Sequence, residues 1–296
     1  MPARTLLDYI STIADDTLEL VSEGSDISVK GVRQHVTIKG ISAEEFPIIP
    51  QVTTDKKIVM KSQVLKNGIM SVIVAAALDE TRPVLSGLLF RVVGEDLLIV
   101  ATDSYRLAEK RIELGATAEL DVVIPQRTIG ELSRILPTDD TEVEITAGEN
   151  QVQFKFAETE FLSRQIDGAF PDYEQIIPKE FVHESIMTRG EFTQAIKMAN
   201  IFARESGGNI KVSASESGLV ISAISSQTGD AESHVPASTK GSPLTVAFNA
   251  KYILDALNVI TGSEVIFALS GPLNPGMIFD KEDGSFKYIV MPLRNE

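Results

Sequence analysis

The sequence predicts an α+β fold assembled from copies of one domain, and three observations carry this. First, "PARTLLDYI" at 2–10, "PQRTIGELS" at 125–133 and "NAKYILDAL" at 249–257 repeat one helix-like pattern at nearly even spacing. Second, each is followed by a polar turn feeding an alternating strand, in "DDTLELV", "DDTEVEI" and "GSEVIFAL". Third, two segments share a layout of short strand then helix: "KIVMKSQVLKNGIMSVIVAA" (57–76) and "ESIMTRGEFTQAIKMANIFA" (184–203).

Taken in chain order, the copies align residue by residue. Pro2, Arg4, Thr5, Leu6 and Asp8 fall on Pro125, Arg127, Thr128, Ile129 and Glu131. Arg4, Leu6 and Asp8 also fall on Lys251, Ile253 and Asp255. "HVTIKGISAEEFPIIP" (35–50) shares its layout with "FLSRQIDGAFPDYEQIIP" (161–178): strand, turn, Phe-Pro, an apolar pair and proline. The two strand–helix segments lead into the strands of "GLLFRVVGEDLLIVATD" and "IKVSASESGLVISAISS". A full unit therefore spans about 120 residues in two similar halves, a period that fits duplicated domains rather than a solenoid. The expected organisation is a half unit (1–50), a full unit (51–178) and a second full unit (179–296). On this reading the chain opens inside a domain, with about 70 residues of the first unit missing, and a mis-assigned start is one explanation.

Composition narrows the function. The 296 residues are 43% hydrophobic, enough to bury sizeable cores. No apolar run approaches the roughly 20 residues of a membrane span, and no basic start precedes an apolar stretch, so a cytoplasmic location is expected. With no cysteine, disulfides, thiolate metal sites and thiol nucleophiles are excluded. A net charge of −15 argues against a surface coated in phosphate-binding charge. It leaves room for a local basic channel, because fields decay over about 8 Å at physiological salt.

A catalytic site is not apparent. His35, His183 and His234 stand apart, without metal-binding spacing, and read as surface or partly buried residues. Asp15-Asp16 and Asp139-Asp140 recur before equivalent strands, which marks them as turn formers rather than ligands. "ESGGN" (205–209) reads as a turn without a following helix to present amides to phosphate. Asp103 in "ATDSYRLA" is the best candidate carboxylate, yet it has no acid or base partner nearby in the sequence. No enzyme activity and no cofactor or metal are expected.

At "ATDSYRLA" (101–108), "FPDYEQIIP" (170–178) and "YIVMPLR" (288–294) the chain resembles the bacterial DNA polymerase III beta subunits, the sliding clamps. "RPVLSGLLF" (82–90) and "FNAKYILDALN" (248–258) extend the likeness over nearly the whole chain in the family's order. The resemblance implies repeated DNA-clamp (processivity-fold) domains, with helices lining an inner face and antiparallel sheets outside. The three segments above become the C-terminal half of clamp domain one, clamp domain two and clamp domain three. It implies a head-to-tail homodimeric ring that encircles duplex DNA without reading sequence and tethers the DNA polymerase III catalytic subunit, the clamp loader and other clamp-motif proteins. The missing half domain weakens the expected dimer. The alternative is a truncated clamp-derived module that binds such peptides without encircling DNA.

Carried over by motif, the partner-peptide groove would comprise Arg82, Leu85, Thr102, Ser104, Tyr105, Arg106 and Leu107, flanked by Pro171 and Ile176. Asn249 and Tyr252 would adjoin it, and Ile289, Met291, Pro292, Leu293 and Arg294 would close it. Gln175 stands where an arginine is common, and the chain ends in "RNE" rather than on an apolar residue. DNA-facing candidates are Arg4, Lys61, Lys66, Arg127, Arg134, Lys197, Arg204 and Lys251. Asp8, Glu131, Glu191 and Asp255 dilute that basic signal, so ordinary solvated helix charge reads comparably well from the residues alone. Val36 and Ile38, with Ile201 and Phe202, are the implied dimer contacts.

Overall fold

Alternating and helical apolar patterns underlie most elements of the structure, a computed structural model that describes residues 1–46, 52, 57–79 and 81–293. It divides into two compact units, residues 1–51 and 52–296. In the first, helix α1 (Ala3–Thr12) is followed by strands β1 (Glu19–Glu23), β2 (Asp26–Lys30) and β3 (His35–Ile38), which form an antiparallel sheet in the order β1-β2-β3. None of the α1 residues is buried. Asp15 Oδ2 accepts from the Val32 amide at 2.8 Å, the turn role expected of it.

The second unit alternates strand–helix and strand runs. β4 (Lys57–Lys61) runs into α2 (Ser62–Val72), then β5 (Gly87–Val93), β6 (Asp96–Thr102) and β7 (Arg106–Glu113). β8 (Asp121–Pro125) runs into α3 (Gln126–Ile135), then β9 (Glu142–Ala147), β10 (Gln151–Phe156) and β11 (Thr159–Arg164). The pattern recurs with β12 (His183–Thr188), α4 (Arg189–Ala203), β13 (Asn209–Ser215), β14 (Gly218–Ser225), β15 (Gly229–Val235) and β16 (Ser238–Gly241). It ends with β17 (Leu244–Asn249), α5 (Ala250–Val259), β18 (Glu264–Leu269), β19 (Gly276–Asp280) and β20 (Phe286–Val290). α4 buries Phe192, Ala195, Ile196, Ala199 and Ala203, the i, i+3, i+4, i+7 stripe of a helix seated on a sheet.

The unit holds two four-stranded sheets, β11-β10-β9-β4 and β15-β14-β13-β17, and a nine-stranded one of order β16-β12-β18-β19-β20-β7-β6-β5-β8. Antiparallel pairing of β20 with β7 fuses the strands expected of the two full repeats into that one sheet. β6 is buried on both faces because two cores meet on it. Leu97, Ile99 and Ala101 join the core beneath the helices. Leu98 and Val100 join Leu89, Leu107, Val123, Phe170, Tyr173, Met277 and Ile289 on the opposite face.

The "FPDYEQIIP" motif is the lid of that second core. Phe170 and Tyr173 meet edge to face at 6.2 Å, and the Tyr173 hydroxyl donates to Glu109 Oε2 at 2.8 Å. Lys287 reaches the other Glu109 oxygen at 3.2 Å, so this buried carboxylate is satisfied on both sides. Burial foremost, then the Glu109 charge, pushes the Tyr173 phenol above its ordinary pKa.

Of the histidines, His183 differs from expectation, being only 1% exposed. Its strand lies between β16 and β18, and its ring nitrogens sit 3.0 Å from the Ser242 carbonyl and 3.0 Å from Ser185 Oγ. Asp139 Oδ1 accepts from the Thr141 amide at 2.9 Å. Among the described residues no group of acidic or histidine side chains is placed to hold a metal ion, and no helix is long and apolar enough to cross a membrane.

Candidate functional site

The turn between β6 and β7 sets the site. Asp103 Oδ1 accepts from the amides of Tyr105 (2.9 Å) and Arg106 (3.0 Å). Thr102 Oγ1 donates to the Arg106 carbonyl at 2.6 Å and accepts from the Ser104 amide at 3.2 Å. Ser104 takes a left-handed φ of 77°, the cost of so tight a reversal without glycine. Asp103 Oδ2 accepts from Arg106 Nε at 2.9 Å, so three donors occupy this carboxylate and it is a structural acceptor rather than a general base. The turn presents Tyr105 outward, 61% exposed, and sends Arg106 inward.

Arg106 gathers partners from far along the chain. Its Nη1 donates to Asp255 Oδ2 of α5 and lies 3.3 Å from the Tyr288 hydroxyl of β20. Its Cζ sits 4.5 Å from the centre of the Tyr252 ring, and Tyr252 stacks with Tyr105 at 6.4 Å and 23°. Burial works against the guanidinium charge, but Tyr288, Asp255 and Asp103 outweigh it and hold the Arg106 pKa above its ordinary value. Burial, and then the Asp103 charge, raises the Tyr252 phenol. Arg82 Nη1 donates to Ser104 Oγ at 3.0 Å on the outer side of the turn.

The C-terminal segment closes this wall. The Met291 amide donates to the Tyr105 carbonyl at 2.9 Å, and the Leu293 amide to the Ala247 carbonyl at 2.8 Å. Beyond Met291 lies a cavity of about 600 Å³ lined by Gln175, Ile176, Phe181, Ser270, Pro275 and Met291 among others. Ser270 Oγ is buried there without a hydrogen-bond partner among the described residues. Asn249 caps α5, accepting from the Lys251 amide at 2.9 Å and donating to the Gly207 carbonyl at 3.1 Å.

The residues named for the groove thus fall into two groups. Ser104, Tyr105, Tyr252, Ile176, Met291, Pro292 and Leu293 keep accessible surface around the wall and cavity, and Pro171 is exposed. Leu107 and Ile289 have none. They pair across β7 and β20 inside the second core and underlie the site rather than line it. Leu85 and Thr102 are buried as well, the latter with its hydroxyl spent on the turn. Arg294 lies outside the described residues.

The basic candidates of α2 and α3 converge. Lys66, Arg127 and Arg134 line one groove of about 560 Å³ together with Met70, Ile73 and Glu131. Lys66 donates to the Leu136 carbonyl at 2.9 Å, Arg134 pairs with Glu131 at 2.7 Å, and Lys61 pairs with Asp140 at 3.0 Å. Arg127, Lys197, Arg204 and Lys251 are exposed and make no ion pair among the described residues, and neither does Arg4 of the first unit. Of the interface candidates, Ile201 is exposed and Phe202 packs partly on the core. Val36 and Ile38 share one face of β3, but Ile38 is buried in its own unit, so only Val36 keeps surface there.

Two family models match this chain: the central domain of the DNA polymerase III beta subunit over residues 59–172, and its C-terminal domain over residues 174–294. The beta sliding clamp of Staphylococcus aureus is 31% identical over 99% of this chain and 79% of its own length. The chain belongs to the beta sliding clamp family. The DNA polymerase sliding clamp of Bacillus subtilis shares the fold at a TM-score of 0.92 and 32% identity, over 99% of this chain and 79% of that one. A Pseudomonas aeruginosa sliding clamp bound to griselimycin matches at 0.90 and 29%, over 99% and 80%. The clamp relationship accounts for the order of the motifs. Asp255 and Tyr288 fall inside two of those motifs, yet neither was a site candidate, because their partner Arg106 lies 149 and 182 residues away.

Proposed function

We propose that this clamp-family chain is a non-catalytic DNA sliding clamp built of the C-terminal half of clamp domain one, 1–50, and of clamp domains two and three, 51–178 and 179–296. Two copies would join head to tail around duplex DNA, with Val36 at one contact and Ile201 and Phe202 at the other. Lys66, Arg127 and Arg134, gathered along one groove, would supply phosphate contacts, which hold position without carrying sequence information. A polymerase and other partners would be tethered through a peptide groove, which raises their effective concentration at the DNA.

The observation that carries the reading is the Tyr105–Tyr252 wall, joined through the Met291 amide to a cavity of mixed apolar and polar lining. Two apolar anchors buried there contribute about 3–6 kcal/mol. Main-chain hydrogen bonds bring such a peptide toward a Kd of about 1 μM, suited to partners that exchange. Met291 and the apolar walls adapt to more than one sequence.

The test loads the protein on nicked circular DNA and then linearises it. Retention on the circle and loss on linearisation is the expected result; equal loss from both overturns encirclement. A second reading, groove binding without encirclement, is favoured by α1, which buries none of its residues. It predicts griselimycin binding with no difference between circular and linear DNA.

A further inference from the structure

We propose that Asp255 is a positioning residue of the partner groove, holding Arg106 against the Tyr252 ring so that the Tyr105–Tyr252 wall stands in its binding geometry. The inference rests on the groove reading and names the residue that orients its aromatic wall.

Tyr252 and Asp255 are three residues apart on α5, so they share a helix face. Together they receive one guanidinium, the carboxylate at Nη1 and the ring at its face. Asp103 cannot do this work. One of its oxygens is committed to the turn amides and the other to Nε, the opposite side of the guanidinium. Without Asp255, Nη1 keeps only the Tyr288 hydroxyl, at 3.3 Å, among the described residues. Arg106 is 7% exposed, so water is a poor substitute for the lost acceptor. The guanidinium would then be free to swing about Nε, and Tyr252 would lose the cation on its face. Tyr105 touches both this ring and Met291, the latter through its carbonyl, so the shift reaches the groove wall.

The test titrates the full chain with griselimycin by calorimetry. Asp255→Asn is expected to weaken binding about tenfold, and Asp255→Glu to recover most of it. Tyr252→Ala weakens binding, and adding Asp255→Asn to it should cost nothing more, because Asp255 acts through that ring. Unchanged binding in Asp255→Asn, or losses that add in the double variant, overturns the proposal. If Asp255→Asn does not fold by circular dichroism, the same cycle is run with Asp255→Ala, which removes the acceptor outright, and additive losses again overturn it.

Met291→Glu separates the two failures. Loss of binding there with Asp255→Asn unaffected sinks this inference alone. Binding that survives Met291→Glu, or no binding by the unaltered chain, sinks the groove reading and this inference with it.

Discussion

Asp103 is the best candidate carboxylate in the sequence, though without an acid or base partner nearby, and in the structure it is a bracket: three donors fill it. Asp283 shows the same logic with a pH consequence. Burial would raise its pKa, but hydrogen bonds from Lys110 and Ser285 outweigh that and bring it to about 2. A carboxylate whose pKa is lower in the folded state stabilises fully above its unfolded value of about 3.9, and that contribution is lost as pH falls towards 2. Asp283→Asn should therefore lower the thermal midpoint at pH 7, with the difference from the unaltered chain shrinking between pH 4 and pH 2. At Gly241 the backbone φ is 112° and a Cβ would lie 2.0 Å from the Val182 carbonyl. Gly241→Ala should cost about 1–3 kcal/mol in urea unfolding, because the β12–β16 edge must shift to make room.

Helices of one repeated pattern end up in different environments, which gives a comparison at the scale of elements. Ile129 and Leu132 of α3, like Ile253 and Ala256 of α5, are completely buried. The equivalent positions of α1, Leu6 and Tyr9, are half-buried, and the Tyr9 hydroxyl is an unpartnered buried atom among the described residues. Leu132→Ala should cost about 2–5 kcal/mol, whereas Leu6→Ala should cost less than about 1 kcal/mol, both read from denaturant midpoints. A cost for Leu6→Ala as large as for Leu132→Ala would show that α1 is covered in solution. On the polar side, Arg127 is exposed and free of ion pairs among the described residues, while Arg134 is tied to Glu131. If both face DNA, Arg127→Ala should reduce the slope of log K against log salt by about 0.9, and Arg134→Ala by less.

Across the whole molecule the decisive junction is β7 with β20, which carries one sheet through the regions matched by both family models. Leu107 and Ile289 pack there in one core, so residues 52–296 should unfold in a single cooperative transition, seen alike by far- and near-ultraviolet circular dichroism. Two separated transitions would mean that the junction is weaker than the cores it joins. Local pattern was sufficient for the helices, the alternating strands and the repeat, because these depend on spacing along a few residues of chain. The motifs were enough to reach the clamp family. They could not tell that Leu107 and Ile289 face inward while Tyr105 faces out, since strand alternation would put residues 105 and 107 on one side and only the structure shows that Tyr105 belongs to the turn before β7. Nor could they pair Arg106 with Asp255, which the linear reading counted as a diluting negative charge. That contact exists because a strand and a helix from distant parts of the chain close on one another, and a buried guanidinium requires acceptors wherever folding brings them.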